Sequence, residues 1–313
     1  MRQQSGSTIL SALAASLLLA LSLPAWAAER ALPVREAVLY VAPDVTSAKL
    51  GNVSRGRELV ILEKSPGWLH VLASVTPERD VNGWVLSKGI VSTATPDGDR
   101  ILFGEAADSE AEASRRHGRK SAADDAMRLY YRMSEYFPTS PLAGEALFHA
   151  ADLKWQIDYE DARTRPSSKE RDPGDRPPID EEAMREVRKK FPNTKWADLA
   201  AFRMLDNKLC GDWLAESKCP EMEGQLYEKY VSEHPQSPKA AEALYLAAWR
   251  QSALIAIYKT ENNAGRSAGA RAKALALAQR TVSQYPQSDW ALRAQRLGYM
   301  VEQNIPTYGS ALE

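Results

Sequence analysis

His234-Pro235-Gln236-Ser237-Pro238-Lys239-Ala240-Ala241-Glu242-Ala243-Leu244 joins the end of one helix-like segment to the start of the next. Pro cannot continue a helix, and a Ser hydroxyl can cap the N-terminus of the helix that follows. Three further junctions share this pattern: Phe137-Pro138-Thr139-Ser140, Phe191-Pro192-Asn193-Thr194 and Tyr285-Pro286-Gln287-Ser288. The sequence therefore predicts a helix–turn–helix unit at each of the four sites.

Small residues recur at fixed distances after each junction. The fifth and eighth residues from the Pro are Ala in every copy: Ala143 and Ala146, Ala197 and Ala200, Ala240 and Ala243, Ala291 and Ala294. Residues three apart share one helix face, and small side chains there let a neighbouring helix approach closely. The copies are 43 to 54 residues apart, which fits stacked hairpins of about 34 residues with inserted loops.

The helical region resembles the tetratricopeptide superfamily, and in particular periplasmic envelope-assembly repeat proteins. Hydrophobic periodicity predicts nine helices within residues 101–304, at 101–116, 122–137, 141–157, 181–191, 195–207, 221–234, 238–258, 270–285 and 289–303. The resemblance implies an all-α solenoid whose Ala-bearing helices line a groove for a partner protein. The candidate groove residues are Phe148, Lys154, Trp155, Tyr245, Trp249 and Arg250. Alternatively, the aromatic members pack between hairpins.

Residues 31–92 have a different pattern, with short runs of Val, Ile, Leu, Tyr and Trp between Gly, Pro and Asp. Strands are predicted at 37–41, 50–53, 58–63, 68–72 and 83–86, as in a small barrel. Residues 67–71 (GWLHV) and 83–87 (GWVLS) make this region similar to the bacterial SH3 domain family. The fold class is thus multidomain, an all-β SH3-like barrel followed, after a linker at 93–100, by the all-α solenoid.

The SH3-domain resemblance implies binding to peptidoglycan or to a wall-associated protein. Tyr40, Trp68 and Trp84 are the candidates for the contact surface of the barrel. Their rings could instead form its core, because a small domain needs the large area that aromatic side chains bury. The charged stretch at 73–82 departs from the short turn usual in the family.

The chain begins with features of a secretory signal peptide. Arg2 precedes an apolar stretch at 9–23, and Pro24 and Ala25-Trp26-Ala27 follow, which predicts cleavage after Ala27. An uncleaved membrane anchor is the alternative. No Cys near the cleavage site could carry a lipid. We therefore expect a periplasmic or secreted protein without stable membrane insertion after cleavage.

Two irregular segments interrupt the helical array. Residues 159–178 are charged and Pro-rich with little to bury, which predicts a mobile insertion, either a tolerated loop or a partner site that orders on binding. The second segment holds Cys210 and Cys219, the two cysteines of the chain. In an oxidising compartment, this spacing predicts a disulfide rather than a redox motif or a zinc site.

Composition argues against several function classes. Without Arg2 the mature chain has 39 basic and 41 acidic residues, and its charges are interspersed, so no nucleic-acid partner is expected. No catalytic motif or phosphate loop appears, and we expect no enzyme activity, cofactor or metal. The sequence favours a cell-envelope adaptor. The alternatives are an accessory to a peptidoglycan hydrolase or a cysteine-type wall hydrolase, and a solenoid that the barrel merely caps.

Overall fold

The computed structural model describes residues 29–76, 79–167, 172 and 174–308, and the predicted signal peptide lies outside this part. Within these described residues, seven strands come first, then nine α-helices. The strands are β1 (Arg30–Pro33), β2 (Ala37–Tyr40), β3 (Lys49–Val53), β4 (Leu59–Ser65), β5 (Trp68–Thr76), β6 (Arg79–Leu86) and β7 (Ile90–Ser92). The helices are α1 (Gly98–Ala113), α2 (Ala122–Tyr136), α3 (Ala143–Thr164), α4 (Glu182–Lys190), α5 (Lys195–Arg203), α6 (Lys218–Glu233), α7 (Ala240–Thr260), α8 (Ala264–Gln284) and α9 (Asp289–Glu302).

The strands form one curled antiparallel sheet of order β3-β2-β6-β5-β4-β1-β7. Sequence reasoning missed β1 and β7, which are short. The curl brings β3 against β5, so that a Cβ at Gly51 would lie 2.6 Å from Val75 Cγ1. Leu39, Val71 and Val85 are fully buried inside the curl.

The four repeat junctions end the preceding helix with the same backbone geometry. Each helix ends at an aromatic or His residue with φ between −125° and −130° and ψ between 52° and 58°. Those capping residues are Phe137, Phe191, His234 and Tyr285. The predicted hydroxyl caps are confirmed at two junctions, where Thr194 and Ser288 are the N-cap residues of α5 and α9 and each accepts a backbone N–H. At the other two junctions the prediction is wrong, because α3 and α7 begin three residues after Ser140 and Ser237, whose hydroxyls accept the N–H of Leu142 and Lys239 in the preceding turn.

The repeated Ala residues lie inside the helical packing. All eight are buried, with exposures from 0% to 7%. Successive helices pack on each other from α1 to α5 and from α6 to α9, and the ring of Phe202 on α5 lies 5.2 Å from that of Tyr230 on α6. The Ala-bearing helices α3 and α5, and α7 and α9, also contact each other. The helical-repeat architecture is therefore confirmed by the packing of the chain itself.

The predicted linker is shorter than expected. Helix α1 begins at Gly98 rather than at residue 101, and a Cβ at Gly98 would lie 2.6 Å from Phe137 Cζ. Leu32, Val34 and Val91 of the sheet share a hydrophobic core with α1 and α2. The sheet and the first helices are consequently one packed unit.

The predicted loop at 159–178 also differs from the structure. Helix α3 continues to Thr164, where Glu160–Arg163 and Asp161–Arg165 ion pairs lie along an exposed face. Such pairs stabilise a helix that has little to bury, which is why hydrophobic periodicity missed this extension. Further on, Ile179 is buried and its backbone N–H donates to Asn207 Oδ1 at 3.0 Å.

Candidate functional site

The three predicted barrel residues lie together on the sheet. Tyr40 pairs with Trp84 across β2 and β6, and its ring contacts Trp68 edge-on at 5.6 Å. Trp84 stacks on His70 at 4.8 Å. Tyr40 is only 8% exposed, whereas Trp68 and Trp84 are half-buried. Packing against Trp68 thus removes Tyr40 from the candidate contact surface, and the two Trp side chains remain partly accessible.

Two of the predicted groove residues are buried, which corrects their assignment. Trp155 is 4% exposed and packs among Met184, Val187 and other residues of α4 and α5. Arg250 is 7% exposed, and its Nε donates to Glu223 Oε2 at 3.0 Å. Neither side chain can reach a partner, because Trp155 fills the space between hairpins and Arg250 neutralises a buried carboxylate.

Three other predicted groove residues are partly exposed but engaged with neighbouring rings. Phe148 stacks on Trp196 at 5.8 Å, and Tyr245 contacts Trp290 at 5.2 Å. Trp249 contacts the ring of Trp213 at 5.1 Å. These rings pack between hairpins, as the alternative interpretation of the sequence proposed.

Lys154, the remaining predicted residue, lies in a groove that sequence reasoning did not anticipate. The groove has a volume of about 690 Å³ and runs between the sheet and helices α2, α3 and α4. Its apolar lining comprises Gly56, Val60, Leu72, Ala73, Met127, Tyr131, Leu147, Ala150, Ala151 and Ala183. Its charged lining comprises Arg57, Glu58, Asp80, Arg128, Arg132, Lys154, Asp180, Glu182 and Glu186, with Ser74 beside them.

Secondary structure explains the lining of this groove. Leu147, Ala150, Ala151 and Lys154 follow one face of α3 at the spacing of helical turns. The small side chains form a floor, and Leu72 of β5, which is 36% exposed, belongs to the same lining. No local pattern could predict this site, since its lining residues are spread over positions 56 to 186 of the sequence.

Ion pairs hold the basic side chains along the α2 wall in place. Arg128 Nε donates to the carbonyl of Arg55 at 3.2 Å, and its guanidinium pairs with Asp125. Arg132 bridges Glu58 and Glu135. Burial raises the pKa of the Glu135 carboxyl, but hydrogen bonds from Arg132 and Arg30 outweigh it, so that this pKa lies below its ordinary value. The α2 wall is therefore a fixed network that ties the sheet to the helices.

The opposite wall, formed by α4 and the segment before it, is acidic. It carries Asp180, Glu182 and Glu186. Asp180 accepts the backbone N–H of Glu182, and Glu186 pairs with Lys190. The groove thus has an apolar floor between a basic and an acidic wall.

A titratable pair lies between α1 and α3. His149 Nδ1 is 3.4 Å from Glu110 Oε1, and the Tyr130 hydroxyl donates to Glu110 Oε2 at 2.9 Å. The hydrogen bond to Glu110 raises the pKa of His149, and the same bond lowers the pKa of Glu110. This pair couples the first helices electrostatically.

The predicted disulfide is confirmed. Cys210 and Cys219 are bonded with an S–S distance of 2.06 Å. The loop they close carries Trp213, which is 9% exposed and packs against Ala253 and Ile257 of α7. Since the sequence holds two cysteines and both are bonded, neither carries a thiol.

Within 29–76, 79–167, 172 and 174–308, no group of three His, Cys, Asp or Glu side chains is arranged to hold a metal ion. No helix in those ranges is long and apolar enough to cross a membrane.

Comparisons with known proteins were made for the whole chain. No protein-family model matches it, and no curated protein matches it. Among solved structures, it is similar to the DHF58 filament, with 15% identity and a TM-score of 0.24 over 66% of this chain and 94% of that chain. It is also similar to the de novo designed helical repeat protein DHR64, with 14% identity and a TM-score of 0.22 over 67% of this chain and 95% of that chain.

Proposed function

We propose that this protein is a non-catalytic, exported adaptor of the bacterial cell envelope. Its sheet is an SH3-like domain fused to a tetratricopeptide-like array, and the groove between them binds a segment of another protein. The observation that supports this function is the groove itself, an apolar floor of about 690 Å³ between charged walls. Ligand sites are concave and mostly apolar, with a few polar groups that set orientation.

The lining of the groove indicates the chemistry of its partner. A floor of Ala residues on α3 and α4 lets a backbone approach closely, and Tyr131, which is 39% exposed, can serve as an aromatic anchor. The acidic wall on α4 favours basic side chains along one edge of the bound segment. The expected partner is therefore an amphipathic segment with an apolar face and Lys or Arg beside it.

Substitutions on the groove surface test this binding function. We would immobilise mature wild type, Leu72→Glu and Tyr131→Asp, incubate each with envelope extract, and quantify the retained proteins by mass spectrometry. Leu62→Glu on β4 and Leu292→Glu on α9 are matched controls, because both side chains are at least half exposed and lie outside the groove.

A genuine partner should be retained by wild type and both controls and be depleted about tenfold or more by both groove variants, the effect of losing roughly 1.4 kcal/mol. Its affinity is then measured with purified components. A protein retained equally by all five chains would not be a groove ligand. If every retained protein behaves so, the groove is not the binding site.

Attachment to the cell wall is a separate part of the proposal. Trp68 and Trp84 are half-buried neighbours on the sheet and are the candidates for contact with peptidoglycan or a wall-associated protein. Because the sheet shares a core with α1 and α2, the whole mature chain is used rather than an isolated sheet. If the wild-type chain cosediments with purified sacculi and Trp68→Ala cosediments less, wall attachment is supported. If the wild-type chain does not cosediment, wall attachment is refuted.

A structural cap is the second candidate function of the sheet. The shared core of Leu32, Val34, Leu102, Leu129 and Met133 favours it, since separating the parts would expose these side chains. If sacculi and envelope proteins both fail to bind, this function remains. A cysteine-type wall hydrolase is less favoured, because the disulfide leaves no thiolate to act as nucleophile.

A further inference from the structure

The segment that follows α9 turns back onto α7. Asn304 has a φ of 58°, and the backbone N–H of Ile305 donates to the carbonyl of Met300 at 2.8 Å. Arg271 Nη1 donates to Asn304 Oδ1 at 2.7 Å. This turn directs Pro306, Thr307 and Tyr308 across the face of α7 that carries Trp249, Ser252 and Ala253.

Thr307 and Tyr308 occupy a formed pocket on that face. The Thr307 hydroxyl hydrogen-bonds to Ser252 Oγ at 2.8 Å, and these residues are 8% and 3% exposed. The Tyr308 ring lies 5.3 Å from the ring of Trp213, which in turn contacts Trp249. One wall of the pocket is thus α7, and the other is the loop closed by the disulfide.

The bound segment is held through side chains. Within the described part of the chain, residues 306–308 make no backbone–backbone hydrogen bond. Ser252 Oγ donates to the carbonyl of Trp249 at 2.8 Å and accepts from Thr307, so the pocket presents an acceptor that favours a hydroxyl donor, Thr or Ser, at the position of Thr307. An aromatic ring is selected next to it by Trp213.

We propose that this pocket is a recognition site for an extended Thr/Ser-aromatic segment of a partner protein, and that the chain's own Thr307 and Tyr308 occupy it in competition. It is distinct from the groove between sheet and helices and does not depend on the function of that groove. A tethered segment has an effective concentration of about 1 mM. Only a partner whose Kd for the pocket is well below that concentration would displace the tethered segment.

The test uses the mature chain in two forms, one complete and one ending at Asn304. Each is titrated with a fluorescein-labelled, end-blocked peptide of residues 302–308 up to about 2 mM, and anisotropy is measured. We expect the shortened chain to bind at least about tenfold more tightly, because the competing segment is gone. Equal affinity for both chains, or no binding by a folded shortened chain, would overturn the proposal.

A double-mutant cycle identifies the pocket. Replacing Thr307 by Val in the peptide should weaken binding to the shortened chain about fivefold, the value of one neutral hydrogen bond, and should change nothing when the chain carries Ser252→Ala. Trp213→Ala should abolish binding, whereas Leu214→Ala, at a residue 58% exposed in the same loop, should not. An unchanged response of Ser252→Ala or Trp213→Ala would place the peptide elsewhere.

Circular dichroism establishes whether the shortened chain is folded. If it is not, the complete chain carrying Thr307→Val and Tyr308→Ala replaces it, because that chain keeps the backbone of the segment while losing both side-chain contacts. Tighter peptide binding by this variant than by wild type would support competition. Unchanged binding would refute it.

Discussion

Replacing Arg250 by Met removes one partner of the most buried ion pair in the described structure. The side chains of Arg250 and Glu223 are 9% and 2% exposed, and Arg250 Nε lies 3.0 Å from Glu223 Oε2. Glu223 Oε1 also accepts hydrogen bonds from the backbone N–H of Cys210 at 2.9 Å and from Trp213 Nε1 at 3.2 Å. The substitution would leave a buried carboxylate with only these two neutral donors.

The expected loss in the free energy of unfolding is about 3–5 kcal/mol, the usual cost of leaving one buried charge unpaired. Contacts of the guanidinium with the rings of Trp249, Tyr227 and Trp213, at 4.7, 4.9 and 5.5 Å, are lost as well. Met is chosen because its length and flexibility let it fill the vacated space.

Urea unfolding monitored by tryptophan fluorescence measures this loss. Arg266→Met is the matched control, because Arg266 also pairs with a Glu and lies over a Tyr ring at 4.5 Å but is 50% exposed. It should cost no more than about 1 kcal/mol. The double variant Arg250→Met, Glu223→Gln should lose less free energy of unfolding than the two single variants lose together, by more than ~1.5 kcal/mol. Similar losses for Arg250→Met and Arg266→Met would refute the reasoning.

Three further predictions concern other parts of the molecule. Reducing the disulfide, or replacing both cysteines (Cys210→Ser, Cys219→Ser), should lower the free energy of unfolding by about 2.5–3 kcal/mol, the chain-entropy value for a ring of this size. An unchanged urea midpoint after reduction would contradict this prediction. Because the pKa of His149 is raised and that of Glu110 is lowered, their ion pair stabilises the folded state most between about pH 4.5 and 6.5. Up to ~1 kcal/mol of the free energy of unfolding is lost as pH rises through the pKa of His149 or falls through that of Glu110. The pH dependence of unfolding should flatten in His149→Gln, and identical profiles for this variant and wild type would exclude the contribution. Leu32→Ala should cost about 2–5 kcal/mol and speed hydrogen exchange in α1 as well as in the sheet, whereas an effect limited to the sheet would show that the two do not share a cooperative core.

Much of the helical architecture could be predicted from local sequence. The Pro-x-Ser/Thr junctions and the following Ala residues specify where a helix ends, which hydroxyl caps the next helix and which face packs closely. The ends of the preceding helices agree with expectation at all four junctions, and the hydroxyl caps agree at the two formed by Thr194 and Ser288. Helix bounds were less accurate where ion pairs rather than hydrophobic periodicity extend the helix, as at Asp161 and Arg165.

The candidate site was predicted far less well. The sequence predicts Lys154 in a groove, and Lys154 does line one, but part of its lining comes from the sheet rather than from the helical array alone. Trp155 and Arg250 are of the residue types that serve as exposed anchors in binding sites, yet both side chains are buried. A single sequence does not distinguish an aromatic or Arg side chain that faces a partner from one that faces its own chain.

By itself, the sequence determined the properties that depend on residues a few positions apart: the helix boundaries at each junction, the strand character of residues 31–92, and the pairing of Cys210 with Cys219. Only the tertiary structure decided that the sheet packs onto α1 and α2, that Leu72 and Ala151 line one groove, and that Thr307 reaches Ser252. These contacts join positions tens of residues apart. They depend on the summed packing of whole elements, which no short pattern encodes.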